Sequence, residues 1–174
     1  MTVQNNFPKH FRNKTDMTDY LSKSLFVIAS GTSDYRYNFM QPNLYNTSKR
    51  YNPDQYASLL VNRFGKQLKE LYKLGARRFL VFELVPLGCY PAVLKAYKPT
   101  TGCAEKANHL AFTFNRKLDH KVRTLRSTYK DVDIIIAKTY SLILGLVERP
   151  LYGKQLLLIF EMKLSLVTIH VYVT

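Results

Sequence analysis

Ser33 and Asp34 follow Gly31 directly after a short apolar run, so a hydroxyl and a carboxylate stand where a buried strand would meet a loop. A serine hydroxyl can attack an acyl carbonyl, but only when a histidine takes up its proton. Spacing offers no such histidine. The residues three places before His10, His109, His120 and His170 are Phe7, Lys106, Lys117 and Val167, none of them acidic. Asp119 and His120 are adjacent, but neighbours on a helix point about 100° apart, so His120 reads as a surface residue. Neither Gly-Asp-Ser nor Gly-x-Ser-x-Gly occurs. Ser33 therefore has no acid–base partner that the sequence identifies, and Asp34 reads as an anchor for the loop backbone rather than an acid. The remaining reactive pair is Cys89 and Cys103, 14 residues apart. Two unpaired thiols suit a cytosolic protein, and two cysteines without neighbouring histidines make a poor metal site. A bridge between them would close a short loop, a contribution of about 3 kcal/mol in the loop-entropy model.

The elements that must position these residues are legible. Ser24 to Ser30 reads as a buried strand ending at Gly31, followed from Tyr35 to Tyr51 by a loop without clean periodicity. Asn52, Pro53 and Gln55 then form an N-terminal capping signal. Tyr56, Leu60, Phe64, Leu68 and Leu71 make one apolar stripe behind it, and Gly75 supplies the stop. Phe79 to Leu84 reads as a second buried strand, closed by Pro86. The spacing predicts a long helix from about Ala104 to Tyr129, a third strand over Val132 to Ala137, and a short helix over Tyr140 to Val147 ended by Pro150. Strands alternating with amphipathic helices imply an α/β protein with a short parallel sheet covered on both faces. The last 21 residues differ: Leu156 to Phe160 is wholly apolar, and Val167 to Thr174 alternates as an edge strand would. Glu161, Lys163 and His170 interrupt this segment, so no transmembrane span is expected.

A chain of 174 residues with 47% apolar and 22% charged residues suits one folded domain and excludes wholesale disorder. The net charge of +14, from 26 basic against 12 acidic residues, would suit an acidic partner. Yet the basic residues are dispersed as helix faces, with no run of five like charges, no zinc-finger spacing and no glycine-rich phosphate loop. Nucleic-acid binding is not expected. The first 23 residues contain no apolar block, so no signal peptide is read, while Asn13-Lys14-Thr15 and Asn46-Thr47-Ser48 are candidate glycosylation sequons.

Four stretches carry a family resemblance. Leu25 to Asp34 ends in Gly31-Thr32-Ser33-Asp34. Gly75-Ala76-Arg77-Arg78 leads to Pro86-Leu87-Gly88-Cys89-Tyr90-Pro91. Cys103-Ala104-Glu105 runs through Asn108 to Phe114-Asn115 and Leu118. Asp133 to Gly153 includes Tyr140, Pro150 and Tyr152-Gly153. Together they resemble the interior of the plant GDSL esterase/lipase family, over residues 12 to 153.

The resemblance implies a partial three-layer α/β/α fold of the flavodoxin-like SGNH hydrolase type. It also implies an acyl ester or lipid substrate, no cofactor, no metal and a secreted protein that takes part in lipid degradation. In that type a serine of Gly-Asp-Ser is the nucleophile, an Asp-x-x-His supplies its base, and Gly-x-Asn-Asp helps hold the oxyanion. By this alignment Gly31, Ser33 and Asp34 are the oxyanion-loop residues, with Ser33 in place of the asparagine, and Cys89 and Cys103 match a paired set. Lys138 stands where the family usually has an acidic residue, which would disturb the end of the third strand. Residues 1–153 read as a partial hydrolase domain and 154–174 as a divergent tail, the pattern of a truncated gene product. The chain is expected to be inactive by itself. The alternatives are a non-catalytic remnant that binds ligands through the Gly31 to Tyr51 loop, or a basic module contacting acidic partners.

Overall fold

Among the described residues, the apolar runs that begin near Ser24, Phe79 and Val132 form strands, and the striped segments between them form helices that carry the chain back. The computed structural model describes residues 10–148 and, as backbone, residues 168–172. Strands β1 (Leu25–Ala29), β2 (Arg78–Phe82) and β3 (Asp133–Ala137) form a parallel sheet, with β4 (Thr168–Tyr172) antiparallel on the free edge of β1. The order is β3-β2-β1-β4. Register sets Phe26 opposite Phe79 and Phe79 opposite Ile134, which builds one continuous apolar row across the sheet. That row joins Leu60, Phe64 and Leu68 of α4 (Pro53–Leu74) and Ala111, Phe114 and Leu118 of α6 (Glu105–Thr128) in one core. Right-handed crossovers put both helices on the same face, and full burial of each large side chain contributes about 1.5–3 kcal/mol.

The sequence signals for α4 hold in detail. Asn52 Oδ1 accepts from the Gln55 N–H at 2.9 Å, Gln55 Oε1 accepts from the Asn52 N–H at 3.0 Å, and Gly75 ends the helix in the left-handed region. Among the described residues the remaining α-helices are α1 (Lys14–Lys23), α2 (Thr32–Asp34), α3 (Thr47–Arg50), α5 (Pro91–Tyr97) and α7 (Thr139–Val147).

Two expectations change. The segment from Tyr35 to Tyr51 is not plain loop: a π-helical turn spans Tyr35–Phe39 and α3 follows it. Rings hold that turn in place, since Phe39 stacks on Tyr56 at 4.8 Å and Tyr35 meets Tyr56 edge-on at 5.3 Å. The described residues leave the second face of the sheet less covered than that of a parallel sheet usually is. Leu80 and Phe82 are half-buried, and Ile135 is 53% exposed. Among the described residues no helix is long and apolar enough to cross a membrane. Pro150, Tyr152-Gly153, the run Leu156 to Phe160 and the boundary at 153/154 lie outside the described residues.

Candidate functional site

Because β1, β2 and β3 run parallel, their carboxyl ends share one edge, where open α/β sheets bind ligands. Gly31 to Asp34 leaves that edge from β1, Glu83 to Cys89 from β2, and Lys138 to Tyr140 from β3.

Gly31 has φ +108°, and a Cβ there would lie 3.2 Å from Leu84 Cδ2 and 3.4 Å from Phe114 Cζ. The chain turns sharply between two packed side chains, a path that suits only glycine. Its carbonyl accepts from the Tyr35 N–H at 3.1 Å, and the Asp34 carbonyl accepts from the Tyr56 hydroxyl at 3.2 Å. Ser33 and Asp34 are half-buried. Burial raises the Asp34 carboxyl above the ordinary carboxylate range, against a hydrogen bond to its own backbone and the charge of Arg63. Burial, and secondarily the Asp34 charge, pushes the Tyr56 phenol up to about 12. Tyr35 is fully buried against Tyr56 and Phe114, and its hydroxyl has no hydrogen-bond partner among the described residues.

The histidines stand elsewhere. His109 and His120 are exposed on α6 and line an open groove of about 840 Å³ between α4 and α6, together with Arg116 and Lys117. Asp119 turns away from His120. It lies 2.7 Å from Arg123 and 3.3 Å from Lys138, as a helix requires of adjacent side chains. His10 is exposed near the start of the described residues, and His170 lies in β4, its Cα paired with that of Val27.

Lys138 does not disturb the end of β3. Its Nζ bridges Glu83 at 3.0 Å and Asp119 at 3.3 Å, and the Glu83 N–H still donates to the Ala137 carbonyl at 3.2 Å. The hydrogen bond to Glu83, against partial burial, holds the ammonium above its ordinary pKa. Burial works to raise the Asp119 carboxyl, but Lys138 and Arg123 outweigh it and hold it low. Glu83, Asp119 and Lys138 line a second cavity of about 400 Å³ with Asn115 and Tyr140.

The loop after β2 is the most tightly held part of this edge. A 3-10 turn spans Leu87–Cys89, and a disulfide joins Cys89 to Cys103 across a Cα–Cα distance of 4.6 Å. The Gly88 N–H donates to Asn108 Oδ1 at 2.8 Å, and the Ala104 N–H donates to the Gly88 carbonyl at 3.0 Å. Asn115 grips the strand end itself: its Oδ1 accepts from the Leu84 N–H and its Nδ2 donates to the Leu84 carbonyl, both at 2.8 Å. Sequence reasoning reads Asn108 and Asn115 only as parts of a family pattern. The signal for their role is that two amides sit on the apolar side of α6. Reduction of the disulfide, or Cys89→Ser, is expected to lower unfolding free energy by about 3 kcal/mol for a loop of this size. Urea unfolding with and without reductant measures it, and coincident curves would count against a stabilising bridge.

Of the two sequons, Asn13 caps α1, its Oδ1 accepting from the Asp16 N–H at 2.8 Å. Asn46 is exposed at the start of α3, with no capping bond from its side chain.

A model of the GDSL-like lipase/acylhydrolases matches residues 2–155. GDSL esterase/lipase 7 of Arabidopsis thaliana is 32% identical over 152 residues, which cover 86% of this chain and 42% of that protein. A second GDSL esterase/lipase of the same plant is 35% identical over 136 residues, covering 78% of this chain and 36% of the relative. A third is 34% identical over 145 residues, covering 80% and 38%. The chain thus spans about two fifths of the length of the curated relatives it matches.

Proposed function

The chain belongs to the GDSL-like lipase/acylhydrolase family, and from that membership we propose that it is the middle of an acyl-ester hydrolase, contributing the oxyanion loop and the sheet edge but neither nucleophile nor base. The family match across residues 2–155 carries the reading. The course of Gly31 to Asp34 along the carboxyl edge of the sheet supports it.

The reaction proposed for the whole protein is transfer of an acyl group from an ester to a serine hydroxyl, then to water. In this reading the backbone around Gly31 and the side chain of Ser33 face the oxygen that becomes negative. Ser33 replaces a carboxamide donor with a shorter hydroxyl, and loss of one such donor in other hydrolases costs on the order of 10²–10³ in rate. The 174 residues hold no Gly-Asp-Ser and no Asp-x-x-His, so this reading assigns neither the nucleophile nor its base to them. The Cys89–Cys103 bridge supports a life in an oxidising compartment.

Purified chain is therefore expected to hydrolyse p-nitrophenyl butyrate no faster than buffer and to escape labelling by a fluorophosphonate. Turnover abolished by Ser33→Ala, or a fluorophosphonate adduct on Ser33, would overturn this reading.

A further inference from the structure

Two segments beside the Gly31–Asp34 loop contain no acidic residue at all: residues 35–51, which continue it, and residues 84–104, whose Leu84 packs on Gly31. They carry Arg36, Lys49, Arg50, Lys95 and Lys98. Lys49, Arg50, Lys95 and Lys98 are exposed and take part in no ion pair among the described residues.

The segments meet in space. The Arg36 guanidinium lies 4.1 Å from the centre of the Tyr90 ring and 5.1 Å from that of Tyr37. Tyr37 and Met40 share a small cleft with Val93 and Tyr97. Tyr37 and Tyr97 at this cleft are about half exposed, and the half-exposed Tyr45 and the 75% exposed Leu44 follow within four residues of Gln41, which also lines it. Leu44 and Tyr45 form the tip of a turn whose backbone N–H groups both donate to the Gln41 carbonyl, at 3.0 and 2.9 Å.

We propose that this face docks the protein on an anionic lipid surface, with Leu44 and the three exposed tyrosines entering the interface and Lys49, Arg50, Lys95 and Lys98 meeting the headgroups. Tyrosine rings carry an apolar body and a polar tip, the combination that rests at headgroup level. Basic residues without local carboxylates are drawn to the negative surface potential of an anionic leaflet. A protein partner fits less well. Its interface needs a packed, shape-complementary core, whereas these side chains protrude singly around a cleft of only about 90 Å³. The inference stands apart from the hydrolase reading, since it concerns attachment and not turnover.

The test is co-sedimentation of the unglycosylated chain with vesicles of ether-linked phosphatidylcholine, alone or with ether-linked phosphatidylserine, whose hydrocarbon chains no acyl-ester hydrolase can release. A glycan on Asn46 would stand over the same tip, hence the unglycosylated form. Retention is expected on the serine-containing vesicles only, and should fall as salt rises. Leu44→Asp should lower partitioning about tenfold, and Lys49→Ser with Arg50→Ser should lower it about tenfold or more. Lys66→Ser with Lys69→Ser, exposed on α4 and more than three helical turns beyond its start at Pro53, should leave it unchanged. Should Leu44→Asp fail to fold, Tyr97→Ser on α5 reads the same contact. No retention on either vesicle, parental binding by Leu44→Asp, or equal loss in the Lys66/Lys69 pair would each overturn the proposal. Retention on immobilised polyglutamate with none on vesicles would reassign the face to an acidic polypeptide, and overturn it too.

Discussion

Gly88→Ala is expected to cost about 3–5 kcal/mol, a large fraction of the roughly 5–15 kcal/mol that a domain commonly has. A Cβ at this position would overlap the Ala104 carbonyl oxygen outright and lie 2.8 Å from its carbon and 2.9 Å from Asn108 Oδ1. Two of those atoms are backbone at the entry to α6, so no rotamer change relieves the overlap. The loop would have to withdraw from the helix. It would then give up the hydrogen bonds from the Gly88 N–H to Asn108 and from the Ala104 N–H to Gly88, beside a disulfide that keeps the two segments together. Circular-dichroism melting of the variant should show a strongly lowered midpoint or no cooperative transition. A midpoint equal to the parent's would mean that the close approach is not a structural requirement.

Asn115→Leu should destabilise by about 2–4 kcal/mol although it keeps the side-chain volume, because it leaves two buried backbone groups of Leu84 without partners. Leu84 and Asn115 are both buried, so water does not replace the lost bonds. The effect should reach the candidate site, since Leu84 is the side chain that packs against Gly31. Hydrogen exchange separates this from a general loss of packing: the Leu84 amide should lose protection well before the β2 amides do. If its protection stays at the parental level, the amide of Asn115 is not what holds that strand end. The same exchange at an exposed position of α4, Asn62→Leu, supplies the comparison and should be close to neutral.

Much of this architecture is legible in the sequence. Asn52, Pro53, Gln55 and Gly75 delimit α4 as the capping pattern predicts, and Tyr56, Leu60, Phe64 and Leu68 are its buried stripe. The long helix, expected from about Ala104 to Tyr129, runs Glu105–Thr128. The family is legible too, through Gly75 to Pro91 and Cys103 to Asn115. Local patterns succeed here because periodicity and caps are local physics: each reports which face is dry and where the backbone runs out of partners.

The turn at Tyr35–Phe39 shows where such reasoning stops. Its ordering comes from aromatic contact with Tyr56, well beyond the turn in the chain, and no spacing rule within the segment announces it. Lys138 gives the complementary case. Read by position it is an intruder, while in the fold it neutralises Glu83 from the end of β2 and Asp119 from α6 at once.

By itself the sequence determined the α/β alternation, the strands and their crossover helices, the family, and the absence of its Gly-Asp-Ser and Asp-x-x-His motifs. Tertiary structure alone decided what the polar residues inside that frame do. Asn108 and Asn115 reach backbone groups 20 and 31 residues away, and Asp119 turns from its neighbour His120 toward Arg123 and, on another element, Lys138. The physical reason is that burial is written into the chain at a period of about two or 3.6 residues, whereas a buried polar group takes whichever partner the packing brings within about 3 Å.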